Sequence, residues 1–129
     1  MNNKTYPDFA GKNILIAEDD ITNYKLLENV LSKTNAIIYW AKNGVEAVNH
    51  SIKHQMDLVL MDIRMPEMDG ISASILIRKY NPELPIIAQT AYTLADDIKK
   101  IMEAGINEYM AKPIIGDELL AILKKYIKE

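Results

Sequence analysis

The feature that most constrains the fold of this chain is a regular alternation between short apolar runs and segments with helical periodicity. Runs short enough to be buried strands occupy residues 13–17, 36–41, 57–61, 85–89 and 107–110. Segments in which apolar residues recur every three or four positions follow them, at 21–33, 44–54, 71–80, 93–104 and 117–128. The alternation predicts an α/β fold in which a parallel sheet carries helices on both faces.

Length and local composition indicate one such domain. A chain of 129 residues matches a single domain of ordinary size. Residues 1–12 lack periodicity and contain Pro7 and Gly11, both of which interrupt regular structure. We therefore predict an N-terminal linker or arm at 1–12 and the folded domain at 13–129.

Helix ends carry signals of their own. Asp20 stands directly before the first helix, where an acid is favourable to the helix dipole. Thr93 and Asp96 form a Thr-x-x-Asp pattern that predicts a capping box for the fourth helix. Gly105 predicts where that helix ends.

Composition excludes several classes of function. The net charge of −3 offers no basic surface, so we expect neither nucleic-acid binding nor direct membrane contact. The absence of cysteine excludes disulfides, thiolate chemistry and zinc–thiolate sites. No apolar stretch is long enough to span a bilayer and the first residues lack the apolar core of a signal peptide, so we expect a cytoplasmic protein.

The carboxyl ends of the predicted strands carry most of the polar side chains. In a doubly wound parallel sheet this edge is where ligands bind. The residues that follow strands one, three, four and five are Glu18, Asp19 and Asp20, then Asp62, Thr90 and Lys112. Each alone has an ordinary explanation, such as a cap, a strand-end hydroxyl or a surface lysine. Their shared position at one edge favours a common site.

Clustered carboxylates predict a metal site. Two charges about 4 Å apart repel by roughly 4 kcal/mol at an effective dielectric constant of 20, so neighbouring carboxylates take up a proton or hold a cation. Ligands that are all oxygen favour Mg²⁺, with Mn²⁺ as the alternative. A lysine and a hydroxyl beside such an ion suit phosphoryl transfer. Asp62 would be the nucleophile, Lys112 would neutralise phosphoryl oxygens and Thr90 would hydrogen-bond one of them.

Two histidines offer no alternative nucleophile. His50 and His54 fall on the predicted second helix, away from the polar edge of the sheet. We expect both to face solvent.

Four segments together resemble a known family. They are ILIAEDD (14–20), DLVLMDIRMPEMDG (57–70), PIIAQTAY (85–92) and YMAKP (109–113). In this order and spacing the chain is similar to a response-regulator receiver domain of two-component signalling, over about residues 13–128. The resemblance implies a flavodoxin-like (βα)5 three-layer sandwich whose five-stranded parallel sheet has the order 2-1-3-4-5.

The resemblance implies a role for each acidic residue. Asp62 matches the phosphoacceptor. Glu18 and Asp19 match the pair that holds Mg²⁺ together with Asp62 and the backbone carbonyl of Arg64. Asp19 is the expected direct ligand, while Glu18 acts through water. Lys112 matches the lysine that pairs with the phosphoryl group.

The resemblance also implies a conformational switch. Thr90 matches the switch hydroxyl, and Tyr109 matches the aromatic residue that moves inward when this hydroxyl turns to the phosphate. Ala91 matches a small residue that leaves room for the phosphoryl group. The bond from Lys112 to Pro113 is expected to be cis.

The implied activity is Mg²⁺-dependent transfer of a phosphoryl group to Asp62 from a histidine kinase or a histidine phosphotransfer domain. The domain catalyses its own phosphorylation and its reset by hydrolysis, but it is mainly a switch, so its status as an enzyme stays open. The added charge draws in Thr90 and then Tyr109, which changes the surface of the fourth helix, fifth strand and fifth helix. The oligomeric state is open, and a dimer would form through that surface.

Two large side chains bear on how long the phosphorylated state lasts. Arg64 and Tyr92 each lie two residues beyond a site residue, so we expect both to flank the phosphoryl group. There they would obstruct the attacking water and lengthen the phosphorylated lifetime.

Two kinds of receiver remain open. The chain ends at KKYIKE directly after the predicted fifth helix, so it is a stand-alone response regulator or the end of a longer chain. FAGKNILIAEDD (9–20) and PIIAQTAYT (85–93) resemble segments of hybrid sensor histidine kinases, which favours the second. In that role Asp62 would pass its phosphoryl group to a phosphotransfer-domain histidine.

Other classes of protein fit the sequence less well. A phosphatase of the haloacid dehalogenase type would have a second aspartate two residues after Asp62, where this chain has Arg64. A flavodoxin-like FMN carrier would have a loop of Ser, Thr and Gly after the first strand, where this chain has three acids. A pseudo-receiver acting only as an interaction module would lack some of the acids or the lysine, and all are present.

Overall fold

Each predicted apolar run forms a strand in the computed structural model, which describes residues 5–91 and 93–129. The strands are β1 (Asn13–Ala17), β2 (Ile37–Ala41), β3 (Leu58–Asp62), β4 (Ile86–Thr90) and β5 (Glu108–Ala111). All pairings are parallel and the order is β2-β1-β3-β4-β5, which confirms the predicted 2-1-3-4-5 sheet. The helices between and after them are α1 (Ile21–Ser32), α2 (Gly44–Lys53), α3 (Gly70–Tyr80), α4 (Ala95–Glu103) and α5 (Gly116–Tyr126).

The sheet separates two hydrophobic cores, because successive side chains of a strand point to opposite faces. Leu15 and Val59 belong to the core shared with α2, α3 and α4. Ile16 and Leu60 belong to the core shared with α1 and α5. Every residue of β3 is buried, as expected of a central strand covered on both faces.

Two of the site residues end strands rather than follow them. Asp62 is the last residue of β3 and pairs with Gln89, and Thr90 is the last residue of β4 and pairs with Ala111. The predicted strand bounds were one residue too early here, because the ladder continues to the edge. The amide of Ile63 still donates to the Gln89 carbonyl at 3.2 Å.

The capping box predicted at Thr93 and Asp96 is wrong. The N-cap of α4 is Leu94, whose backbone is extended, and this helix start has no side-chain cap. Thr93 therefore lies outside the helix, one residue too early to cap it. Asp96 and Asp97 instead place negative charge in the first turn, where the helix dipole favours it. Gly105 follows the helix at φ +86°, which confirms the predicted end.

The described part of the N-terminal arm packs on the domain. Phe9 is fully buried in the core of α1 and α5, and its amide donates to the Thr34 carbonyl at 2.6 Å. The boundary between arm and domain at residue 13 stays a prediction. Within residues 5–91 and 93–129, every helix falls short of the length or the apolarity that a membrane crossing requires.

Candidate functional site

Three consecutive acidic residues follow β1, and they differ in burial and in their contacts. Glu18 is fully buried, whereas Asp19 is exposed. Asp20 is the N-cap of α1, and its Oδ1 accepts hydrogen bonds from the amides of Thr22 at 2.8 Å and Asn23 at 3.2 Å. The role of Asp20 at the helix start is thus confirmed, and Glu18 and Asp19 are not needed for it.

Lys112 joins the acids across the edge of the sheet. Its Nζ lies 3.2 Å from Oδ1 of Asp62 and 3.3 Å from Oε1 of Glu18. Asp62 is only 4% exposed, so both carboxylates are buried. The amide of Lys112 donates to the Thr90 carbonyl at 2.9 Å, and the Lys112–Pro113 bond is cis, as predicted. One ammonium therefore neutralises part of the charge of two buried carboxylates.

The site has more negative than positive charge at neutral pH. Burial and the neighbouring charge of Asp62 raise the pKa of Glu18 to about 7. Burial acts to lower the pKa of Lys112, but the charges of Asp62 and Glu18 outweigh it and the pKa is raised. Lys112 therefore remains protonated, and a second cation would relieve the remaining repulsion.

The acidic residues fit a divalent cation. Glu18, Asp19 and Asp62 each offer a carboxylate oxygen, and these atoms lie within 4.8 Å of one another. A donor set of oxygen atoms alone suits hard ions such as Mg²⁺. The exposure of Asp19 leaves one side of the cluster open to water, as Mg²⁺ requires when it keeps part of its hydration shell.

An open cleft of about 240 Å³ contains almost all of the predicted site residues. Its walls are Glu18, Asp19, Asp20, Asn23, Asp62, Arg64, Thr90, Ala91 and Lys112. Tyr109 does not line it, and Tyr92 lies outside the described residues. Asn23 was not predicted, and the only signal for it was its place in the first turn after Asp20.

Glycine permits a close approach around the loop that follows Asp62. A Cβ atom on Gly70 would lie 2.0 Å from the backbone oxygen of Asp62. A Cβ atom on Gly44 would lie 2.3 Å from the backbone oxygen of Met68, which accepts a hydrogen bond from the Gly44 amide at 2.9 Å. The starts of α2 and α3 thus hold the loop that carries Arg64. The metal role of the Arg64 carbonyl stays a prediction.

The residues of the predicted switch lie on the two outermost strands of this side of the sheet. Thr90 ends β4 and is 1% exposed. Tyr109 of β5 pairs with Ala88, two residues before Thr90, and is 40% exposed. The Tyr109 ring therefore points outward in this structure. The movements of Thr90 and Tyr109 stay predictions.

The prediction that His50 and His54 face solvent is wrong. Both are half-buried, because the ring of Tyr39 on β2 covers them. The Tyr39 and His54 rings stack with centroids 4.4 Å apart. Neither histidine lines the cleft.

A contact from β2 was not predicted either. The indole N–H of Trp40 donates to the backbone carbonyl of Glu18 at 2.8 Å. The sequence holds no local signal for this bond, since it depends on β2 lying beside β1.

Comparison with known proteins identifies relatives along almost the whole chain. The model of the response regulator receiver domain family matches residues 14–124. Hybrid signal transduction histidine kinase M of Dictyostelium discoideum is 42% identical over 122 residues, which cover 88% of this chain and 5% of that protein. Transcription factor SKN7 of Saccharomyces cerevisiae is 35% identical over 127 residues, which cover 98% of this chain and 20% of that protein. The chain thus spans a fifth or less of the length of these two relatives.

A solved structure is similar to this chain along almost its whole length. The receiver domain of a sensor histidine kinase from Pseudomonas aeruginosa PAO1, solved with a magnesium ion coordinated in its active-site cleft, is 36% identical to this chain. The two superpose with a TM-score of 0.85 over 91% of this chain and 98% of that one. Since the family match spans nearly the whole sheet and its helices, this chain belongs to the response regulator receiver domains, the phosphoacceptor switches of two-component signalling.

Proposed function

We propose that Asp62 accepts a phosphoryl group from a phosphohistidine and that the cleft around it catalyses the transfer. The observation that carries this proposal is the Lys112 ammonium, 3.2 Å from Oδ1 of Asp62 at the open edge of the sheet. A carboxylate oxygen of Asp62 attacks phosphorus, and a new P–O bond forms. The bond from phosphorus to the histidine nitrogen breaks, and its electron pair stays on the imidazole.

Lys112 and the acidic pair have complementary tasks in this transfer. Lys112 places a fixed positive charge beside the incoming phosphoryl oxygens. Glu18 and Asp19, with Asp62 and the Arg64 carbonyl, would hold Mg²⁺. When bound, the ion neutralises charge on the phosphoryl oxygens and on the carboxylates. The proposal draws support from the spacing of the acidic oxygens and from the magnesium in the Pseudomonas receiver.

The output of the domain is a change of shape. Phosphorylation adds almost two negative charges at Asp62. Thr90 turns its hydroxyl toward the new oxygens, Tyr109 moves into the space behind it, and Ala91 leaves room for the phosphoryl group. This proposed switch is supported by the placement of Thr90 and Ala91 in the walls of the cleft and by the exposed ring of Tyr109.

The partner is a histidine kinase or a histidine phosphotransfer domain. The names of two relatives, a hybrid histidine kinase and a sensor histidine kinase, support a receiver that works within a phosphorelay. We infer that the chain acts as such a hybrid-kinase receiver, with a stand-alone response regulator as the alternative. The cytoplasmic location, and a dimer through α4, β5 and α5, stay predictions.

A small phosphodonor tests the proposal without the natural partner. Acetyl phosphate and Mg²⁺ should add one phosphoryl group to the wild type, measured as intact mass. Asp62→Asn, which keeps the shape of the side chain and removes its charge, should gain none, and chelation of Mg²⁺ should stop the reaction. A variant that gains the same mass would show that Asp62 is not the acceptor. Sustained hydrolysis of a phosphate monoester over many turnovers would favour a small-molecule phosphatase instead.

A further inference from the structure

Two residues of β2 hydrogen-bond the backbone amide and the backbone carbonyl of Glu18. Its amide donates to the carbonyl of Ala41 at 2.9 Å, which continues the pairing of β1 with β2. Its carbonyl accepts from the indole N–H of Trp40 at 2.8 Å. The second bond lies beyond the end of the strand, so a side chain takes over where the ladder of the sheet stops.

The indole of Trp40 is itself fixed in place. It stacks on the ring of Tyr24 in α1, with centroids 3.9 Å apart and planes at 10°. The ammonium of Lys42 lies 4.9 Å from the centre of the Trp40 ring, and the Tyr24 hydroxyl donates to Glu28 at 3.1 Å. A ring held on these sides presents its single N–H donor in one direction.

The bond to Trp40 acts at the peptide group that joins Glu18 to Asp19. A change in the orientation of this peptide would shift the Asp19 side chain relative to Glu18 and Asp62. The acidic oxygens now lie within 4.8 Å of one another, and Asp19 is the exposed member of the three. The hydrogen bond from Trp40 to the Glu18 carbonyl therefore restricts Asp19, the acidic residue of the three that is least restrained by packing.

We propose that Trp40 is a positioning residue of the metal site. Its indole N–H fixes the Glu18–Asp19 peptide and so pre-organises the carboxylates for a divalent cation. The inference rests on the proposed metal site, and it adds a residue of β2 to a site otherwise formed from the ends of β1, β3, β4 and β5.

The test must separate the N–H group from the packing of the ring. Trp40 is the only tryptophan of the chain, so it can be replaced uniformly by 3-(3-benzothienyl)alanine. This analogue has sulfur in place of N–H and keeps the bicyclic ring that stacks on Tyr24. Tyr39→Phe is the matched control, because Tyr39 is the preceding aromatic residue of β2 and its ring contacts His54 rather than the site.

Mn²⁺ affinity, measured from water-proton relaxation, is the first readout. We expect the analogue to bind Mn²⁺ roughly three- to tenfold more weakly than the wild type, as the loss of one hydrogen bond behind a metal ligand predicts. Tyr39→Phe should bind as the wild type does. If the wild type binds Mn²⁺ and the analogue binds it equally well, the role of Trp40 is wrong while the metal site stands. If the wild type binds none, the metal site is wrong and the inference falls with it.

The second readout needs no metal. The amide of Asp20 donates to Oε2 of Glu18 at 3.2 Å, within the same turn. Amide hydrogen exchange at Asp20 should become severalfold faster in the metal-free analogue and stay unchanged in Tyr39→Phe. Equal exchange rates in wild type and analogue would show that the indole N–H does not hold this turn.

Discussion

The ammonium of Lys112 lies 3.2 Å from Oδ1 of Asp62, although the strands that lead to these residues are not neighbours. β4 runs between them, and Lys112 reaches across it. The same ammonium lies 3.3 Å from Oε1 of Glu18, which follows β1. One ammonium thus connects the ends of β1, β3 and β5. Any change of charge at Asp62 therefore acts on Lys112 and, through it, on Glu18.

Removal of this cation should slow phosphorylation strongly. Lys112→Met keeps most of the apolar stem and leaves two buried carboxylates without their ammonium. We expect the rate constant for phosphorylation by acetyl phosphate to fall on the order of 10²-fold, as for the loss of one charged stabiliser of a transition state. Single-turnover mass measurements give the rate. Lys99→Met, at an exposed lysine of α4, is the control. A Lys112→Met rate close to that of the control would contradict the role of Lys112.

The raised pKa of Glu18 predicts an unusual pH dependence of stability. Its pKa is about 7 in the folded protein, compared with an ordinary value of 4.5. Between these values the folded state keeps a proton that the unfolded chain has lost, so the metal-free protein becomes less stable as pH rises from about 4.5 to about 7. We expect Glu18 to contribute a loss of roughly 1 to 3 kcal/mol over this interval.

Glu18→Gln isolates this contribution. Denaturant unfolding in the presence of a chelator, near pH 5 and near pH 8, should show a smaller loss of stability in Glu18→Gln than in the wild type. Mg²⁺ should restore stability to the wild type mainly at the higher pH, where the carboxylates are ionised. An equal loss in both proteins would mean that Glu18 is not the titrating group.

Gly70 should not tolerate a methyl group. Its Cβ atom would lie 2.0 Å from the backbone oxygen of Asp62, and neither the strand nor the start of α3 can move without disturbing the acceptor. We expect Gly70→Ala to cost at least about 2 kcal/mol of unfolding free energy. Gly116→Ala is a close control, because Gly116 also begins a helix and its nearest contact would be an ordinary 3.7 Å to Val30. Similar denaturation midpoints for the two variants would contradict the predicted clash.

Thr90 should be needed for the movement of Tyr109 but not for phosphorylation itself. With fluorotyrosine in place of tyrosine, the ¹⁹F resonance of Tyr109, assigned through Tyr109→Phe, reports the environment of its ring. The resonance should shift when the wild type is phosphorylated, because we expect the Tyr109 side chain, which is 40% exposed in this structure, to become buried. Thr90→Ala should accept the phosphoryl group and lose most of this shift. A full shift in Thr90→Ala would show that another group moves Tyr109.

Arg64 should lengthen the phosphorylated state. Arg64 lines the cleft together with Asp62 and Thr90, and we expect its side chain there to obstruct an attacking water. Arg64→Ala, alone or with Tyr92→Ala, should lose its phosphoryl group severalfold faster than the wild type. The decay of phosphorylated protein after removal of the donor measures the lifetime. Decay at the same rate or more slowly in the double variant would refute this role.

The fold and most of the cleft could be predicted because both depend on strand ends. Five apolar runs that alternate with helical periods leave few arrangements, and the carboxyl ends of parallel strands meet at one edge. Glu18, Asp62, Thr90 and Lys112 were therefore placed together although they are distant in sequence. Strand bounds one residue too early did not matter, since Asp62 and Thr90 stayed at the same edge.

The features that could not be predicted depend on packing between helices and strands, for which the local sequence gives no signal. The apolar spacing of Val45 and Ile52 indicates a helix, yet both are exposed, because α2 turns the small residues Gly44 and Ala47 inward. Gly44 in that place allows the contact with Met68 that holds the loop after Asp62. The bond of Trp40 to Glu18 and the cover of Tyr39 over the histidines likewise follow from neighbours that only the folded chain brings together.

Chemical labelling identifies the residue that carries the phosphoryl group. Borohydride reduces an aspartyl phosphate to homoserine, which peptide mass spectrometry then assigns to one position of the chain. After treatment with acetyl phosphate and Mg²⁺, we predict homoserine at position 62 and unmodified aspartate at positions 19 and 20. Homoserine at 19 or 20, or none in a protein that has gained a phosphoryl group, would show that Asp62 is not the phosphoryl acceptor.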